Sequence, residues 1–228
     1  MNGILPLWKE RGMTSHDCVF KLRKILKTKK VGHTGTLDPG VEGVLPICIG
    51  QATRIAEYLT DAGKTYEAVV AIGRTTTTED AEGETVEQDT TNKSFTRTQI
   101  LQALKTLTGT IEQTPPMFSA VKVNGKKLYE YARAGQTVER PTRQVTIYEL
   151  ELLSEEENFE GQDVYFSIRI KCSKGTYIRT LAVQIGEALG YPAHMHELVR
   201  TASGTFSKEN CLTLAQVAEK VEAQDTSI

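Results

Sequence analysis

The chain has 228 residues, 39% hydrophobic and 25% charged, with a formal net charge of −2. This is enough chain to bury a full core, and the balance is that of an ordinary soluble globular protein. No apolar run reaches membrane-spanning length, and MNGILPLWKERG lacks the basic region and long apolar core of a signal peptide.

Gly3 to Trp8 reads as a short apolar strand. Ser15 reads as an N-cap, after which Val19, Leu22, Ile25 and Leu26 recur at helical spacing to about Lys27. Lys21, Arg23, Lys24, Lys27, Lys29 and Lys30 fall within ten residues, mostly on the face opposite that apolar stripe. Such a run is ordinarily a solvated helix face. Its delivery straight into the next segment favours a surface that contacts phosphates.

That next segment, His33 to Gly50, reads HTGTLDPGVEGVLPICIG, with four glycines and two prolines. Glycine admits positive φ and proline fixes φ, so the first half reads as a tight, shaped loop. Val44 to Ile49 reads as a short apolar strand, and Pro46 suggests that it starts near an edge or a bulge. A loop anchored to a strand can hold a polar side chain rigidly, and His33, Thr34, Thr36, Asp38 and Glu42 are offered here. Taken alone, Asp38-Pro39 is a turn starter. A phosphate cradle is a second reading, weakened because no Gly-Lys-Ser/Thr follows and a strand comes next.

Gln51-Ala52-Thr53-Arg54 leads into a short helical segment ending near Asp61-Ala62-Gly63, and Lys64 to Gly73 reads as a strand rich in β-branched and aromatic residues. Thr75 to Ser94 is polar and acidic and reads as an exposed loop. Thr96 caps a helix carrying Ile100, Leu101, Leu104 and Leu107, with Gly109 at its end. Asn124-Gly125 is a turn signal between Val121–Val123 and a more helical Lys127–Ala134. Gln144–Leu153 and Val164–Cys172 alternate as half-buried strands, joined by a hairpin-like loop at Asn158–Gln162. Tyr177 opens a helix with Ile178, Leu181, Ile185 and Leu189 on one face; Arg179 lies in its first turn, and Gly190 stops it. Thr213 caps a closing helix. The four cysteines form no C-x-x-C pair and the four histidines show no ligand spacing, so reduced thiols and no metal are expected.

Several of these strings together resemble the pseudouridine synthases of the TruB type. Val31-Gly32-His33-Thr34-Gly35-Thr36-Leu37-Asp38-Pro39 with Gly43-Val44-Leu45 is similar to the family's central motif. Gly12 to Lys24 resembles its opening motif, although Lys9-Glu10-Arg11 stands where the family commonly has Lys-Pro. Further likenesses run through GKTYEA at Gly63 to Ala68, PPMFSAVKVNGKKLYEYAR at Pro115 to Arg133, KGTYIR at Lys174 to Arg179, and His194 to Gly204.

The resemblance implies an α+β fold, a mixed and largely antiparallel sheet flanked by helices. It implies isomerisation of uridine to pseudouridine at position 55 in the TΨC loop of tRNA, on a flipped-out base and without a cofactor. Asp38 would be the catalytic carboxylate, Arg179 its ion-pair partner, and Tyr66 the tyrosine against the target uracil. Lys64, Tyr177 and Leu198 would contribute to substrate binding, with His33 filling the gap left in the RNA loop. Lys21, Arg23, Lys24, Lys27, Lys29 and Lys30 would meet the RNA backbone. The partner is the T stem-loop of tRNA, with no membrane or metal; the chain is expected to be cytoplasmic and monomeric. It reads as a single catalytic domain over 1–228, with the core to about 210 and a closing helix and tail at 211–228. The small C-terminal RNA-binding domain usual in bacterial members is expected to be absent or truncated. Two competing readings are a catalytically inactive RNA-binding relative or tRNA chaperone, and a hydrolase using Asp38 as nucleophile.

Overall fold

The computed structural model describes residues 2–60 and 62–223. The expected tail at 224–228 and the expected helix end at Asp61 lie outside the described residues. In chain order, β1 (Gly3–Lys9) is followed by α1 (Ser15–Ile25), β2 (Val31–His33), β3 (Glu42–Ile49), a 3-10 turn over Gly50–Ile55, and α2 (Ala56–Thr60). Next come β4 (Lys64–Ile72), β5 (Arg74–Thr76), β6 (Thr85–Gln88), β7 (Lys93–Thr96), α3 (Arg97–Thr106), β8 (Gly109–Gln113), β9 (Lys122–Val123), β10 (Lys126–Lys127) and α4 (Leu128–Arg133). The chain continues through β11 (Arg143–Leu152), β12 (Asn158–Gly161), β13 (Val164–Cys172), α5 (Ile178–Leu189), β14 (Ala193–Ser203), β15 (Phe206–Ser207) and α6 (Leu214–Glu222). The fold is α+β with a mixed, largely antiparallel sheet, as the resemblance implied. Two compact units form, Met1–Tyr66 with Leu198–Ile228, and Glu67–Glu197.

In the first unit β3 is the central strand. It pairs antiparallel with β1 from Gly3↔Ile49 to Lys9↔Gly43. Its other edge changes partner part-way. The end of β14 joins parallel at Val199↔Glu42 and Arg200↔Gly43, whereas β2 joins antiparallel at Val31↔Ile49 to His33↔Ile47. Pro46 therefore sits inside β3, not near an edge or a bulge. Its missing N–H falls between the two partners, and across from it on β1 stands Pro6, which has no N–H either. The strand begins at Glu42, before the expected Val44. Leu5, Leu7, Leu45, Ile47 and Ile49 form one wall of a core that α1 closes with Cys18, Val19 and Leu22, and α6 with Val217. The cap of α1 is one residue earlier than expected. Thr14 accepts from the Asp17 N–H at 3.0 Å in a reciprocal capping box, which releases the Ser15 hydroxyl for another use.

In the second unit β4, β13, β11 and β8 lie side by side in that order, and α3 and α5 pack together. The alternation read for β11 and β13 is present, and Thr96 caps α3 with Gln99 completing the box. The polar stretch after β4 is more ordered than its composition suggested: β5 and β6 form a hairpin, and β7 pairs with β12, which occupies the expected loop at 158–162. All of β6 is exposed, so it has no buried face to leave an apolar alternation in the sequence. Lys93 is buried there, donating to the carbonyls of Asp89, Thr91 and Gln162 at 2.8, 2.9 and 2.6 Å. Asn124 and Gly125 both have positive φ (50° and 82°), the turn expected between β9 and β10. Gly109 opens β8 rather than closing α3, whose C-cap is Leu107.

Candidate active site

The segment between β2 and β3 is held almost residue by residue. The Thr34 N–H donates to the Pro46 carbonyl at 3.0 Å. The Ser15 hydroxyl both donates to the Leu37 carbonyl (3.1 Å) and accepts from the Leu37 N–H (2.9 Å). The Val41 N–H closes a turn on the Asp38 carbonyl at 3.0 Å, and the Gly12 N–H reaches the Pro39 carbonyl at 2.8 Å. Leu37 and Val41 are buried in the core, so the loop has an apolar anchor on each side of Asp38. Asp38 itself is exposed.

Two buried cations complete the frame. Lys9, 0% exposed, donates to the carbonyls of Met13 at 2.7 Å, Glu10 at 3.1 Å and Pro39 at 3.4 Å. Burial pushes its pKa down and the Arg200 charge adds to this, against the pull of Cys18, Asp38 and Glu42. The stretch Lys9-Glu10-Arg11 thus makes an ordered turn without the family's proline. Arg200, 1% exposed, donates to the Val44 carbonyl at 2.8 Å and the Gly35 carbonyl at 2.9 Å. His33 lies at the end of β2 with a buried Nδ1 that has no described partner. Burial, then the Arg200 and His16 charges, hold its pKa below the ordinary histidine value. Lys64 and Tyr66 are buried at the start of β4, with Lys64 Nζ on the Ala62 carbonyl at 2.7 Å. Leu198 packs on the first unit's core.

The second unit holds Tyr177 and Arg179. Tyr177 is the N-cap residue of α5, and its backbone is gripped on both sides by the Gln113 amide, which accepts from the Tyr177 N–H (2.9 Å) and donates to its carbonyl (3.1 Å). Arg179 is 7% exposed, and its guanidinium donates to the carbonyls of Thr78 at 3.1 Å and Phe118 at 2.9 Å. An arginine in a first helical turn opposes the helix dipole, and these carbonyl acceptors offset that cost. Next to it Glu79, at φ 63°, accepts from the Thr180 hydroxyl at 2.8 Å. Burial raises the Glu79 pKa, against the Thr180 bond and the Arg179 and Arg140 charges.

A family model described as TruB family pseudouridylate synthase (N-terminal domain) matches residues 23–178, and one described as tRNA pseudouridylate synthase B C-terminal domain matches 179–227. The curated tRNA pseudouridine synthase B of Listeria monocytogenes serotype 4b (strain F2365) is 66% identical over 227 residues, 100% of this chain and 74% of that protein. That of Bacillus anthracis is 63% identical over 222 residues, 97% of this chain and 72% of the relative. The chain belongs to the TruB family of pseudouridylate synthases. Among solved structures, a Cbf5–Nop10–Gar1 complex matches this TruB-family chain with TM-score 0.71 and 35% identity, over 98% of the chain and 56% of the other. An H/ACA RNP bound to a substrate RNA containing 2′-deoxyuridine matches with TM-score 0.69 and 32% identity, over 98% and 55%. The chain thus spans little more than half the length of the proteins in those complexes.

Of seven candidate catalytic and base-binding residues in this TruB-family chain, His33, Asp38, Lys64, Tyr66 and Leu198 belong to the first unit, and Tyr177 and Arg179 to the second. The basic run belongs to the first, and its members differ. Arg23 donates to the Val31 carbonyl at 3.2 Å, Lys21 lies on the Met13 sulfur at 3.2 Å, and Lys24 sits 4.4 Å from the centre of the exposed Phe20 ring. Lys9, Ser15 and Gln113 were not legible as site-building residues, and Arg200 stood in the family-like string His194 to Gly204 with no role read for it. Each acts on main-chain groups, which carry no side-chain signature. Among the described residues no group of three or more His, Cys, Asp or Glu could hold a metal ion, and no helix is long and apolar enough to cross a membrane.

Proposed function

We propose that the chain isomerises uridine to pseudouridine at position 55 in the TΨC loop of tRNA, acting in the cytoplasm on a base turned out of its stack. In this reaction the C1′–N1 bond breaks and a C1′–C5 bond forms; C5 loses its proton and N1 gains one, so the formula is unchanged. A carboxylate suits the step, because it can bond to the reacting centre or stabilise positive charge growing on the sugar. Asp38 fills that role, and Arg179 orients the carboxylate. Tyr66 and Tyr177 stack on the extruded uracil, a contact worth roughly 1–3 kcal/mol, while Lys64 and Leu198 complete the base site and His33 fills the vacated stack. The observation that carries the reading is the central loop. It holds Asp38 by its main chain and leaves the carboxylate exposed, in a chain 66% identical along its length to a curated tRNA pseudouridine synthase B.

Nucleotide-resolution mapping of pseudouridine in unmodified tRNA treated with the protein tests this directly. One new pseudouridine at position 55 is the expected result. Tritium release from C5-labelled tRNA separates an enzyme from an RNA-binding relative, which releases none.

The basic run from α1 into the segment after it is assigned to RNA backbone contact through Lys21, Arg23, Lys24, Lys27, Lys29 and Lys30, with the carbonyl-bound Arg23 contributing least. Replacing Lys24, Lys27 and Lys29 together with Gln should weaken tRNA binding and flatten its salt dependence by about 0.7 units of log–log slope per lost contact. Arg23→Gln should change the slope less than any one of the three. A triple variant with the wild-type slope would make the run a solvated face.

A further inference from the structure

A buried arginine is costly to keep, and its acceptors show what it is for. Arg200 stands at the parallel junction of β14 with β3, opposite Gly43, and is buried completely. Its hydrogen bonds run to two main-chain oxygens on either side of the loop, with Nε on Val44 at 2.8 Å and Nη2 on Gly35 at 2.9 Å. Between those two points lie Thr36 to Gly43, with Asp38 inside. A planar guanidinium presents its donors in a rigid fork, so it holds two acceptors at a fixed separation and orientation, whereas a lysine ammonium donates from a single point on a flexible stem.

We infer that Arg200 is the positioning residue of the Asp38 loop: its guanidinium ties the loop's two ends together and so sets where the carboxylate is presented. This rests on the reading of Asp38 as the reacting carboxylate. Arg200 does not touch the substrate in this scheme; it acts through the segment it spans. Lys9 holds the crest of the same loop at Pro39 from the other side, so the segment is clamped at base and crest by two buried cations.

The test compares Arg200→Gln and Arg200→Lys with wild type on full-length protein. Arg200→Gln should lower kcat about 10–100-fold, the scale for a small misplacement of a reacting group, with KM and tRNA Kd within about threefold. Arg200→Lys, which keeps the charge but not the rigid fork, should recover part of the loss. Two readouts do not depend on turnover. Hydrogen exchange at the Leu37 and Val41 amides should quicken while the β11 and β13 amides keep wild-type protection, and the His33 imidazole, relieved of a neighbouring charge, should titrate at higher pH. Wild-type kcat, or loop amides exchanging at the wild-type rate, overturns the proposal. Should Arg200→Gln fail to fold, the exchange measurement on Arg200→Lys decides by the same criterion. An active Asp38→Asn enzyme would instead remove the role of Asp38, and the exchange result would still report on the clamp.

Discussion

Asp38→Asn is expected to abolish turnover, by at least about a thousandfold, while leaving tRNA affinity within severalfold. The substitution is nearly isosteric. It keeps the main-chain carbonyl that accepts from the Val41 N–H at 3.0 Å and leaves the anchors of Leu37 and Pro39 in place. What it removes is the charge and the nucleophilic oxygen pair. A neutral amide still accepts and donates hydrogen bonds, but it neither bonds readily to the reacting centre nor balances a developing cation. Single-turnover rates on tRNA, with Kd measured alongside, give the result. A variant turning over at near the wild-type rate would take Asp38 out of the chemistry, whereas a loss confined to affinity would make it a binding group.

The largest effect on stability is expected at Gly43. A Cβ there would lie 2.7 Å from the Arg200 nitrogen and nearer still to its carbonyl oxygen, and the backbone at φ 139° is already one that side chains rarely adopt. Both objections are to main chain, which cannot swing aside. Gly43→Ala should therefore cost about 2–4 kcal/mol and lower the melting midpoint by roughly 5–15 °C. Gly32 supplies the control. A Cβ at that position meets nothing within 4 Å and its φ is ordinary, so Gly32→Ala should leave the midpoint unchanged or raise it slightly. Calorimetry of the two variants side by side checks the pair; a Gly43→Ala midpoint within a degree or two of wild type would mean the β14–β3 junction yields more easily than its geometry implies.

The parts of the fold that could be read in advance are those whose cause lies in neighbouring residues. Helical spacing in α1, α3 and α5, the Thr96 and Thr213 caps, and the Asn124-Gly125 turn are local matters of side-chain period and backbone preference. Pro46 was misplaced because its tolerance inside β3 depends on partners drawn from two distant strands. The β5–β6 hairpin was missed because its exposure leaves no apolar rhythm. The candidate site divides along the same line. Asp38, Tyr66, Tyr177 and Arg179 could be picked out as chemistry-bearing side chains in distinctive strings. Lys9 and Gln113 could not, and Arg200 stood in a family-like string without a legible role, since a side chain bonded to a carbonyl leaves no complementary letter at the acceptor, and a buried Lys or Arg is spelled like an exposed one.

The first unit is discontinuous in the chain, residues 67–197 being interposed between its two segments. During synthesis the segment bearing Asp38 therefore leaves the ribosome well before Arg200, which follows only after the whole interposed stretch 67–197. On the roles proposed for Asp38 and Arg200, a nascent chain stalled anywhere in the intervening stretch holds the loop without the guanidinium that spans it.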